Sequence, residues 1–263
     1  MMILPLGLKI YICVILAIFG ACMGSFLNCF AIRLCNGESI AKGRSHCMSC
    51  GHVLSPLDLV PIFSYIFLRG KCRYCGAKMS PRYLVSEIIS AVVYVGVFLR
   101  FGWSIKTVEF LLLTSILLCV SFADLEAYII PDGLIIAGIV IRLMFILFSG
   151  DTGHEALQSV IGGFSVSAPV LIIVLIMEKL MKREAMGGGD IKLLFMAGIY
   201  LPWSQNLLAI LLACICGLLF GAIYNRLKNN EEKLFPFGPA IAAGTYLSML
   251  FGEGIINAYL SLF

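Results

Sequence analysis

From Lys9 to Phe30 the chain carries no charge beyond Lys9 itself. At 1.5 Å per residue a helix over this run spans the roughly 30 Å hydrocarbon core of a bilayer. Further apolar runs lie near Leu84 to Leu99, Ile105 to Ala123, Gly133 to Phe148, Leu157 to Met177, Ile191 to Leu201, Gln205 to Tyr224 and Phe237 to Phe251. They predict about eight crossings, the sixth falling well below the roughly 20 residues that a full span needs. Of 263 residues only 13% are charged, against about 25% in soluble domains. An ordinary soluble enzyme and a disordered chain are excluded, and the unbroken runs lack the alternation of an outer-membrane barrel. The expected fold is an all-α polytopic membrane protein.

The position of the charges sets the orientation. With the N-terminus outward, the inward segments are Arg33 to Arg82, Asp124 to Asp132, Glu178 to Lys192 and Asn225 to Leu234. They hold 8, 0, 4 and 3 basic residues, 15 of the 19 in the chain. Lys9, Arg100, Lys106 and Arg142 fall in outer segments or within a span, so the excess lies on the cytoplasmic side. Without a sixth crossing, Arg226, Lys228 and Lys233 would be exported; Pro202 then marks an outer turn. The first run lacks a basic n-region and a small-residue cleavage site, and reads as a retained span. The organisation is a first span over 1–32, a cytoplasmic loop over 33–82 and a transmembrane core over 84–263.

The loop carries Cys47-Met48-Ser49-Cys50 and Cys72-Arg73-Tyr74-Cys75, two C-x2-C pairs separated by the stretch from Gly51 to Lys71. This spacing lets four thiolates reach one tetrahedral ion, and Gly51 and Gly76 follow the pairs where a knuckle turn favours glycine. It is a zinc-ribbon signal. The alternative is two disulfides or redox pairs, which the reducing cytoplasm disfavours. His46 and His52 are expected to be exposed or behind the ligands. Four thiolates saturate the ion, so the metal is structural. Cys13, Cys22, Cys29, Cys35, Cys119, Cys214 and Cys216 belong to the apolar spans as packing residues. The loop's eight basic residues against Glu38 and Asp58 either hold it to anionic headgroups, at roughly 1 kcal/mol each, or only obey the positive-inside rule.

Acids beside apolar spans are costly and point to function. Asp124 ends the third span and Asp190 follows Gly187-Gly188-Gly189 before the sixth, far apart in the chain but both at the inward boundary. Two carboxylates in a poorly hydrated site share a proton, giving a base to activate water and an acid to protonate a leaving amide nitrogen. The glycine triplet fits close backbone approach or a helix break. Structural alternatives are a cap for Asp190 and a snorkelling helix end for Asp124. Asp132 is expected as an N-cap, Glu126 in water, and Glu87 as a stabiliser of its own helix start.

Gly24-Ser25-Phe26-Leu27-Asn28 with Arg33-Leu34, the cysteine loop with Ser45-His46, Asp58-Leu59-Val60-Pro61, Ser64-Tyr65, Arg69-Gly70-Lys71 and Arg82-Tyr83 through Glu87 form an ordered set. Asp124 with Ile130-Pro131-Asp132, Gly187-Gly188-Gly189-Asp190 and Phe235-Pro236-Phe237-Gly238-Pro239 continue it. In this set and order the chain resembles the type IV prepilin leader peptidase/N-methyltransferase family of GxGD membrane aspartic proteases, with Cys35 where a proline is usual. The resemblance implies Asp124 and Asp190 as catalytic residues. It implies cleavage of the short basic leader of prepilins and pseudopilins at the cytoplasmic face of the bacterial inner membrane. It also implies N-methylation of the new N-terminus from S-adenosylmethionine, to which no residues are assigned. The implied partners are precursor N-termini and the bilayer, not nucleic acid. Two other classes remain open on the residues: a proton- or cation-coupled transporter, and a membrane anchor that recruits a partner through its zinc ribbon.

Overall fold

A computed structural model describes residues 5–39, 45–182, 186–228 and 236–262. Lys42, Arg44, Arg183, Lys233 and Phe235, used above for orientation and motifs, lie outside the described residues. The elements are α1 (Leu6–Cys35), a 3-10 turn (Pro56–Leu59), α2 (Phe63–Phe67), α3 (Arg82–Phe101), α4 (Ile105–Ala127), α5 (Asp132–Leu147), α6 (Thr152–Met181), α7 (Gly188–Gly198), α8 (Trp203–Lys228) and α9 (Gly238–Leu260). A helix occupies each of the eight apolar runs. Six of them, α1, α3, α4, α6, α8 and α9, are long and apolar enough to cross a membrane. With 16 and 11 residues, α5 and α7 fall short of that length.

The chain divides into two compact units, Met1–Leu111 and Leu112–Phe263. In the first, α1 packs on α3 through small residues. A Cβ at Gly20 would meet the Ser90 carbonyl at 2.8 Å, and one at Gly24 the Ser86 carbonyl at 2.7 Å. Lipid gives helices no hydrophobic reason to associate, so close approach of small residues supplies the packing. Beyond Cys35 the helix stops at Asn36-Gly37. Gly37 takes φ +68, its N–H donates to Leu34 O and the Glu38 N–H donates to Arg33 O, closing the last carbonyls of the helix.

In the second unit the same rule joins α6 to α7 and α8 to α9. A Cβ at Gly162 would run into the Gly198 carbonyl, and one at Gly244 into the Ala209 carbonyl. Helix α7 rises only about 16 Å, so its last carbonyls and the turn beyond it end among packed helices, where unpaired polar groups are costly. Asn206 Nδ2 donates to the carbonyls of Gly162, Gly198 and Leu201, and Arg142 Nε to that of Ile199. Buried Arg142 also pairs with Glu155 at 2.6 Å. The sixth segment is therefore a short helix closed by a side-chain-capped turn, and these partners are the reason that Arg142, a charged residue, sits inside a span.

Candidate active site and cysteine centre

Asp124 stands in the last turn of α4 and is buried. Its Oδ2 accepts the Gly238 N–H at 2.7 Å. That donor is available for a local reason. Ala240 and Ile241 both donate to the Phe237 carbonyl, and Pro239 has no N–H, so Gly238 carries the free donor of the α9 N-terminus. A helix start favours a carboxylate there. Asp124 is thus a held, buried acid and not a snorkelling helix end.

Asp190 is the third residue of α7, behind the N-cap Gly187. It is half-buried and near enough to Asp124 to feel that carboxyl's charge. Two further contacts join the same segments. Lys192 Nζ donates to Asp132 Oδ1 at 2.7 Å, tying α7 to α5. Gly189 faces the Ile130 side chain, which a Cβ there would approach to 3.1 Å. The Ile130-Pro131-Asp132 segment and the glycine triplet therefore meet, which sets the Asp190 end of α7 against the connection that follows α4.

Several local expectations change. Pro131, not Asp132, caps α5; Asp132 is its first residue and pairs with Lys192. Gly187 takes an ordinary extended φ of −63 and a Cβ at Gly188 would meet nothing within 4 Å, whereas one at Gly187 would stand 3.3 Å from Asp190 Oδ2 and one at Gly189 3.1 Å from Ile130, so the close packing of the triplet is against side chains. The close backbone approach in the site is at Gly238. Glu126 is exposed, as expected. Glu87 is buried and does not cap its own helix; it accepts the Ile62 N–H at 2.6 Å.

In the loop, Gly51 N–H donates to Cys47 O and Gly76 N–H to Cys72 O, both glycines having φ near +70. Cys47 N–H donates to His52 O and Cys72 N–H to Ala77 O, closing two equivalent knuckles. The Sγ atoms of Cys47, Cys50, Cys72 and Cys75 all lie within 4.8 Å of one another, with Cys47 and Cys75 at 3.9 Å. Tetrahedral thiolates about 2.3 Å from one zinc ion stand roughly 3.8 Å apart, so the four residues fit a metal. His52 lies against Tyr74 with ring centroids 3.7 Å apart and His46 is exposed; neither is in the sulfur cluster.

Behind the second knuckle, Asp58 accepts from Ser55 Oγ at 2.8 Å, Ser55 N at 3.1 Å, Arg73 Nε at 2.6 Å and Tyr74 Oη at 3.2 Å. Burial by itself would push this carboxyl up, but the hydrogen bonds from Ser55 and Arg73 outweigh it and hold it below the usual carboxylate range. A group held low contributes stability above its unfolded value and loses it only as pH falls through the folded one. The ribbon's fastening is therefore intact at neutral pH.

Residues 18–101 match the family model for the bacterial peptidase A24 N-terminal domain, and residues 111–222 that for the type IV leader peptidase family. A prepilin leader peptidase/N-methyltransferase of Bacillus subtilis is 32% identical over 252 residues, covering 94% of this chain and 98% of that protein. One from Aeromonas salmonicida is 34% identical over 221 residues, 83% of this chain and 75% of the relative. One from Myxococcus xanthus is 33% identical over 211 residues, 80% of this chain and 62% of the relative. No solved structure matches. Two family models in sequence and similarity along nearly the whole length agree: the chain belongs to the type IV leader peptidase family.

Proposed function

We propose that this protein removes the short basic leader of type IV prepilins and pseudopilins at the cytoplasmic face of the bacterial cytoplasmic membrane, and then N-methylates the new N-terminus. The peptidase reading is supported by buried Asp124, which accepts the Gly238 N–H at the start of α9, and by Asp190 lying within electrostatic range of it. One ionised carboxyl takes a proton from water, whose oxygen attacks the scissile carbonyl. The protonated partner donates to the carbonyl oxygen as the tetrahedral adduct forms, and the carboxyl that took the proton from water passes it to the leaving amide nitrogen as the C–N bond breaks. A substrate helix lies in lipid beside the spans and its leader stays on the cytoplasmic side.

The pair supports hydrolysis only while it holds one proton. Cleavage is expected to fall at low pH, where no base remains, and at high pH, where no acid remains. A rate-versus-pH series on a precursor peptide checks this; a rate that rises to a flat plateau contradicts it.

Gly238 offers a sharper test. A Cβ there would stand 2.7 Å from Asp124 Oδ2 and 3.2 Å from Asp124 Cβ. Gly238→Ala keeps the N–H but displaces the carboxyl, and a displacement of about 1 Å in a catalytic group costs on the order of 100-fold. Initial cleavage rates are expected to drop by about that factor, with the melting temperature in detergent nearly unchanged.

A zinc ion fits Cys47, Cys50, Cys72 and Cys75 as a structural centre that orders the loop and takes no part in hydrolysis. S-adenosylmethionine supplies the methyl group when bound. The described residues form no strand-to-helix nucleotide fold, and no residues of this chain are assigned to that cofactor. A transporter needs acids in mid-span, whereas Asp124 and Asp190 occupy the last turn of α4 and the first of α7.

A further inference from the structure

The 3-10 turn and α2 place Leu57, Phe63, Ile66 and Phe67 on the outside of an otherwise polar loop, 70, 59, 57 and 80% exposed. Large apolar side chains gathered in one short stretch mark an interaction surface. A hydrogen bond sets where that surface lies. Ile62 has φ 64 and ψ −55, and the Phe63 N–H donates to Pro61 O at 2.6 Å. This is a γ-turn of the rare positive-φ kind, strained for a β-branched residue.

The turn is held by Glu87, which accepts the Ile62 N–H at 2.6 Å. Arg82 is the first residue of α3, so Glu87 sits about 7–8 Å along that membrane helix from its polar end. The Glu87 side chain leans back toward that end, so the start of α2, hydrogen-bonded to it, lies between the end of α3 and the level of Glu87. Amphipathic elements that lie on a bilayer bury their apolar face about 5–10 Å into the boundary between headgroups and acyl chains, a depth that the side chains of α2 can reach from there.

Charge selects the occupant. Arg69, Lys71, Arg73, Lys78 and Arg82 follow the patch in the same loop, all exposed, and the one acid among residues 45–82, Asp58, is buried against Arg73. An apolar patch in a loop whose exposed charges are cations fits anionic lipid headgroups and repels a cationic peptide, such as the basic leader of the proposed substrate.

We propose that Pro56–Phe67 is a membrane-surface element: Leu57, Phe63, Ile66 and Phe67 enter the leaflet on the loop's side of the bilayer, and the flanking basic residues rest on anionic headgroups. The chain has two tryptophans, so the full-length protein with Trp103→Phe, Trp203→Phe and Phe67→Trp carries a single reporter. It is reconstituted in phosphatidylcholine vesicles with roughly one-third phosphatidylglycerol, with ordinary or brominated acyl chains. Brominated lipid is expected to quench most of the emission and aqueous acrylamide little, and Ile66→Trp in the same background should behave alike. Omitting phosphatidylglycerol should weaken the quenching by brominated lipid. Quenching by acrylamide but not by brominated lipid would overturn the proposal in favour of solvent exposure. Protection from both quenchers would overturn it in favour of cover by protein. Neither readout depends on peptidase activity, so failure here leaves the proposed function untouched.

Discussion

Asp124→Asn and Asp190→Asn are each expected to remove leader cleavage almost completely. Asparagine keeps the shape of the carboxyl but can neither accept a proton from water nor give one up as a carboxylic acid does. General acid–base groups contribute typically about 10²–10⁴-fold each. Because the two act on one proton, their losses do not add, and the double variant should be no slower than the worse single one by more than a small factor. In Asp124→Asn the new amide oxygen would still accept the Gly238 N–H, so the α4 to α9 contact at 2.7 Å should survive and the melting temperature should move little. Loss of rate together with loss of folded protein would instead mean that the acids are structural caps.

Cys47→Ser is expected to strip the loop of its metal while leaving part of the cleavage. Structural zinc sites supply on the order of 10–16 kcal/mol of apparent binding free energy in small peptides, and removal of one thiolate from a saturated site forfeits much of it. Metal analysis of the purified wild type should find one zinc per chain, and of the variant close to none. The knuckles around Gly51 and Gly76 should then become sensitive to added protease. Asp124 and Asp190 belong to the other compact unit, so the peptidase should be impaired and not abolished. Complete loss of cleavage with folding of Leu112–Phe263 intact would favour a protein whose function is recruitment through the ribbon.

The parts of this molecule that could be read from sequence are those written in local pattern. Apolar runs of about 20 residues mark helices whatever surrounds them, and two C-x2-C pairs mark a metal knuckle by spacing alone. Asp124 and Asp190 stand out because an acid at the edge of an apolar run is expensive. What stayed hidden depends on partners far away in the chain. Gly238 donates to a carboxyl 114 residues earlier, and the only local sign is Pro239, which removes the competing N–H. Lys192 draws Asp132 away from a capping role across 60 residues. Arg142 gives no periodic signal for its bonds to Glu155 and to the Ile199 carbonyl, 57 residues on. Glu87 is bound by the distant N–H of Ile62. Helix α7 is shorter than a span because side chains from Asn206 and Arg142 close its end inside the bundle, a device that hydropathy does not register.

The central claim is that Asp124 and Asp190 together hydrolyse a pilin-type leader. The most direct test incubates the purified protein in detergent with a full-length precursor and follows both products by intact-mass spectrometry, for wild type, Asp124→Asn and Asp190→Asn. The wild type should release the leader in one cut directly before the apolar helix. With S-adenosylmethionine present, the mature product should gain the mass of one methylene. Both variants should return the precursor uncut. Full cleavage by either variant would contradict the account.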